Sequence, residues 1–136
     1  PYPFLVNFDL GERNVTICSR ERSNTPLQAL NLLNDPVFFE MAQGLALRVL
    51  NEAPGNSFAD RLGFAYRASL ARAPRVSEQE EMLGYFVDQR KMFEADPNMA
   101  RDWFPAKLDN VDPAEAAGWV AVSRILLNLD EFITRE

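Results

Sequence analysis

The sequence predicts an all-α fold: five or six helices in a compact orthogonal or bundle-like packing, with an extended N-terminal arm over residues 1–22 and a helical body over 23–136. Three observations predict it. A capping residue followed by proline recurs at Thr25-Pro26, Asp35-Pro36, Asp96-Pro97 and Asp112-Pro113, a pairing that suits the first position of a helix. Apolar residues after Pro36 recur at three- and four-residue spacing. The links between these segments are short, and no repeat with a period of roughly 20–50 residues is present.

The arm comes first. Phe4, Val6 and Phe8 alternate with Leu5 and Asn7, Val15 and Ile17 alternate with Thr16 and Cys18, and Gly11 lies between the two stretches. A short irregular hairpin and an extended arm packed on helices both fit, and Pro1 and Pro3 discourage regular pairing.

The helices follow. Thr25 caps the first, Pro26 takes its first position, Gln28 reaches back as the far half of a capping box, and the helix ends near Asn34. Asp35-Pro36 opens a second that runs to about Ala53, where Pro54-Gly55 stops it; Phe38, Ala42, Leu45 and Val49 form its stripe. Ser57 caps a third with Phe58, Leu62, Tyr66 and Leu70 along one side, ending before Pro74. Ser77-Glu78-Gln79-Glu80 reads as the capping box of a fourth, whose apolar residues include Met82, Leu83, Phe86, Val87 and Phe93. Asp96-Pro97 opens a weaker piece toward Trp103-Phe104-Pro105. Asp112-Pro113-Ala114-Glu115 starts the last helix, with Trp119, Val122, Leu126, Leu129 and Ile133 in one long seam.

Bulk properties narrow the function classes. With 136 residues, 47% of them hydrophobic and 25% charged, the chain suits one domain with a real core. It opens on Pro1-Tyr2-Pro3 with no leader pattern, so it reads as a piece of a longer polypeptide. No apolar run approaches the roughly 20 residues of a membrane span, which argues against direct membrane insertion. The net charge of -6 argues against nucleic acid as a partner, because a broad nucleic-acid footprint needs clustered positive charge. The absence of histidine removes His-based acid–base, nucleophile-activating and metal- or haem-ligating chemistry from these residues. The single cysteine, Cys18, excludes an internal disulfide.

The candidate chemistry is sparse, and no catalytic or metal-ligating residue is assigned. Asp35, Asp96 and Asp112 precede prolines and read as caps. Glu78, Glu80 and Glu81 read as a solvated helix start, because the ligand loop of a calcium site is missing. Arg20 and Arg22, next to Asn24 and Gln28, can either hold an anion near a helix start or pair with the surplus acids and pin the arm. Asn31, Asn34, Asn128, Asp130 and Glu131 lie among apolar neighbours, where polar groups serve either a pocket or buried backbone ends. Trp119 falls on the seam and reads as core, whereas Trp103 offers an aromatic platform for a sugar ring.

Cys18, the run from Arg20 to Leu30 with Asn24-Thr25-Pro26 at its centre, Leu32-Leu33-Asn34-Asp35-Pro36 and the ending Leu126-Leu127-Asn128-Leu129-Asp130-Glu131-Phe132 together resemble a known family. It is the planctomycete-type C-terminal domain of unknown function found in large exported proteins that often also carry cytochrome-c-like haem domains. Phe64, Leu70, Arg72, Pro74 and Glu78 match its middle spacing, and the similarity covers roughly Phe8 to the end. The family's usual threonine before Asn-Thr-Pro is Ser23 here. The resemblance implies export to the periplasm or cell surface, a haem domain elsewhere in the same polypeptide, and a setting of polysaccharide breakdown. It carries over no catalytic residue. Haem attachment cannot occur within this chain, which has no Cys-x-x-Cys-His.

The expected function is that of a non-catalytic accessory or interaction module that positions neighbouring domains of the same polypeptide. Arg20, Arg22, Asn24 and Gln28 would fix the entry of the arm, and Asn128 and Glu131 would meet them across the fold. One alternative is part of a hydrolase or redox site completed by upstream sequence, with Asp130, Glu131 and the arginines positioning substrate. Another is a carbohydrate-binding module using Trp103.

Overall fold

The computed structural model describes residues 26–134. Arg20, Arg22, Asn24, the Thr25 cap, Cys18 and the expected arm or hairpin lie outside these residues. Among the described residues the fold is all-helical, with seven helices: α1 (Pro26–Asn34), α2 (Pro36–Glu52), α3 (Phe58–Leu70), α4 (Val76–Ala95), α5 (Pro97–Trp103), α6 (Pro113–Leu127) and α7 (Asp130–Ile133). The expected count of five or six is therefore corrected to seven.

The extra helix arises because the expected last seam breaks at Asn128. The Asn128 N–H bonds to the carbonyl of Ile125 at 3.0 Å and the Leu129 N–H to that of Leu126 at 3.4 Å. These three-residue bonds tighten the last turn and end α6. Leu129 then adopts extended φ and ψ of -68° and 143°, and the chain restarts as α7.

Capping accounts for most of the other boundaries. The Asp35 Oδ1 accepts the Val37 N–H at 2.8 Å, the Ser57 Oγ that of Asp60 at 3.1 Å, and the Asp96 Oδ1 that of Met99 at 3.1 Å. Each satisfies a first-turn donor that has no partner within its helix. Two expectations change. Asp112 sits at the N-cap position of α6 but its side chain accepts no cap bond. Its carboxylate instead lies 3.7 Å from Arg90 Nη2. The fourth helix starts two residues before the expected Ser77 frame allows: the Arg75 N–H donates to Glu78 Oε2 at 2.7 Å, so Glu78 closes the first turn from the third position.

The core is organised around α6. Eleven of its fifteen residues are buried, from Ala114 to Leu127, and the flanks are rich in alanine. A helix that is apolar all round belongs in the interior, and its small residues let α2 and α4, its main neighbours, approach closely. Trp119, which is core as expected, stacks with Phe58 at 5.3 Å and meets Phe86 at 5.1 Å. Leu62, Tyr66, Val49 and Leu126 complete this cluster. A second, smaller cluster of Phe93, Ala100, Ala114, Ala117 and Ala121 joins α4 and α5 to α6. Of the apolar residues of the fourth helix, Leu83 and Val87 lie on its exposed side.

Candidate functional site

Among the described residues, the densest polar constellation lies where α3 ends, α4 begins and α7 passes. Ala71 terminates α3 in the left-handed region, with φ of 57°, and turns the chain sharply. Arg72 follows at once and projects its guanidinium between two acids. Its Nη1 and Nη2 donate to Glu78 Oε2 and Oε1 at 2.8 and 2.7 Å. Its Nε and Nη2 donate to Glu131 Oε1 and Oε2 at 2.7 and 2.8 Å. Nη1 also reaches the Ala73 carbonyl at 3.1 Å. The guanidinium carbon lies 5.3 Å from the centre of the Tyr66 ring. Every edge of the fork therefore has an acceptor, and an aromatic ring lies beside it.

The electrostatics follow from this geometry. The Arg72 guanidinium pulls the Glu78 carboxyl down to about 2 against the opposing effect of burial, and the Arg75 backbone N–H adds to the pull. Arg72 also lowers the Glu131 carboxyl. The two acids in turn raise Arg72 further above its already high value. All three groups stay charged near neutrality, and none is held at a value suited to exchanging protons there. A cleft of about 810 Å³ lies on the α7 side, lined by Ser69, Leu70, Ala71, Asp130, Glu131, Phe132 and Thr134.

The other described residues singled out from the sequence sit on or beside different helices. Gln28 is buried in α1, with only 1% exposure. Asn128 caps the end of α6, and its Oδ1 is buried without a donor among the described residues. Glu131 is exposed on α7 and is bonded to Arg72. Trp103, half-buried at the end of α5, packs edge-on to Phe39 at 5.3 Å and against Phe93 at 5.1 Å. Arg124 lies 5.0 Å from the centre of the Trp103 ring and 5.4 Å from that of Phe39. The same arginine donates to the Leu33 carbonyl at 2.6 Å, closing the end of α1 onto α6. Gln43 Nε2 holds the Trp103 carbonyl at 2.8 Å. Arg124 was not singled out from the sequence; Arg72 and Glu78 entered there only through spacing or as a solvated helix start. The available signal was an arginine two residues before a proline and six residues ahead of a first-turn glutamate.

Among the described residues, no group of three or more His, Cys, Asp or Glu side chains is placed to hold a metal ion. No helix among them is long and apolar enough to cross a membrane. Covalent haem attachment needs a cysteine pair and a histidine. With one cysteine and no histidine, the chain does not fit that group.

A family model described as PSD1, a protein of unknown function (DUF1553), matches residues 1–86. The matched span includes Arg72 and Glu78 and stops before Glu131. No curated protein and no solved structure matches the chain.

Proposed function

The chain belongs to the PSD1 (DUF1553) family, and on that premise we propose that it is a helical accessory or interaction module, non-catalytic by itself, within a larger exported polypeptide. Its partners are neighbouring domains of that polypeptide, one of them a haem domain of the cytochrome-c type, in a planctomycete setting of polysaccharide breakdown. The observation that supports this reading is the saturation of Arg72. The most concentrated group of charges among the described residues is spent on mutual bonds that tie the end of α3 to α4 and α7. A positioning module needs a rigid frame, and multiple charge-assisted bonds between distant segments supply one.

A second reading is favoured by the cleft beside Asp130 and Glu131: the chain completes an active site whose other groups lie elsewhere in the polypeptide. The two readings separate in the full-length protein. Asp130→Asn and Glu131→Gln are expected to leave any polysaccharide-degrading or redox turnover unchanged, while Arg72→Ala increases protease sensitivity. Loss of turnover in Asp130→Asn with native stability retained would establish the second reading instead.

A further inference from the structure

In the first turn of α3, toward the end remote from Arg72, Arg61 is buried, with only 8% exposure. One guanidinium nitrogen, Nη1, pairs with Glu115 Oε1 in the first turn of α6. The buried Nε–H has no acceptor among the described residues. A buried N–H without an acceptor is costly, and a charged one more so. Arg61 lines a cleft of about 650 Å³ between the end of α2, the start of α6 and the segment that joins α5 to α6. Lys107 and Asn56 line the same cleft, and no ion pair among the described residues engages Lys107.

The start of α6 adds a third element. The Asp112 side chain, which would ordinarily accept a first-turn N–H, makes no such bond; Arg90 is its nearest cation. The positive end of this fifteen-residue helix thus lacks its cap beside the cleft that Val111 and Glu115 line. Three acids oppose an anion here, and Asp112 is the one that faces Arg90. Glu115 is already engaged by Arg61, and Asp109 is exposed at the rim.

We propose that this cleft binds a small oxyanion, a carboxylate or phosphate group whose oxygens accept from the Arg61 guanidinium and the Lys107 ammonium beside the uncapped start of α6. Arginine matches two-oxygen acceptors, lysine contributes a point charge, and the helix start favours negative charge. The site is independent of the accessory reading above and of the Arg72 assembly.

The test is calorimetric titration of the intact protein at low ionic strength, with inorganic phosphate in one arm and succinate in the other. Saturable binding in either arm is expected, and the tighter arm identifies the anion class. Lys107→Ala should weaken it about tenfold. Asp109→Asn should tighten it, and Lys91→Ala, which removes an equal charge from α4, should leave it unchanged. All three positions are exposed, so the variants retain the fold. The proposal is overturned if neither anion binds saturably. It is overturned equally if Lys107→Ala and Lys91→Ala weaken binding alike, because the effect would then be one of net charge.

Discussion

Arg72 and Glu78 form a two-pronged ion pair across the bend between α3 and α4, with N–O distances of 2.7 and 2.8 Å. The same Glu78 accepts the Arg75 N–H at 2.7 Å, so one carboxylate both starts α4 and anchors the arginine that leaves α3. Removing the arginine leaves Glu78 with the Arg75 N–H alone and takes from Glu131 both of its bonds to the guanidinium. The three side chains are partly solvated, so Arg72→Ala is expected to destabilise the fold by about 1 kcal/mol. Arg72→Lys should recover only part of this, because a point charge cannot make four directed bonds. Urea denaturation midpoints check both.

Acid should dissolve the same assembly. The folded Glu78 carboxyl is held at about 2 against an ordinary 4.5. Its contribution to stability is therefore complete above pH 4.5 and is lost as pH falls toward 2. Glu131 is shifted in the same direction. The stability difference between the native protein and Arg72→Ala should accordingly shrink across that window. Denaturation midpoints at several pH values give the comparison.

Two mid-helix glycines should respond oppositely to alanine. A Cβ at Gly118 would lie 2.9 Å from Phe86 Cε2, a ring already packed on Trp119 and Phe58. Gly118→Ala is expected to destabilise by about 1–2 kcal/mol through overpacking, in spite of better helix propensity. Gly44 has nothing within 4 Å of such an atom, so Gly44→Ala should stabilise by about 0.5–1 kcal/mol. Thermal unfolding of the pair measures both signs.

Ala71 holds φ of 57° and ψ of 23° at the end of α3. Glycine reaches this region without the steric penalty of a Cβ, so Ala71→Gly should stabilise by about 0.5–1 kcal/mol. A shift of the thermal midpoint upward, with an unchanged helical circular dichroism signal, is the expected result.

Local chemistry made most of the helix boundaries legible. Asp35-Pro36, Ser57 and Asp96-Pro97 announce starts because each cap acts on a donor two or three residues away. Tertiary features were harder to read. The central role of α6 is masked by its alanines, which carry little hydrophobic contrast yet permit close approach by α2 and α4. The break at Asn128 interrupts a spacing that continues unbroken in the sequence from Trp119 to Ile133. For the site, Glu131 was recognisable as a polar residue among apolar neighbours. Its partner was not, because Arg72 lies 59 residues away and the α3–α4 bend brings it there. Trp103 stood out as an aromatic at the end of a weakly helical piece, and its indole packs against Phe39, Phe93 and Arg124.

A double-mutant cycle between Arg72 and Glu131, read from urea unfolding, tests the central claim most directly: that the main charge cluster among the described residues ties helices together. The prediction is that Arg72→Ala and Glu131→Gln combined destabilise by clearly less than the sum of the two alone, since they break one shared contact. Strict additivity of the two changes would contradict it.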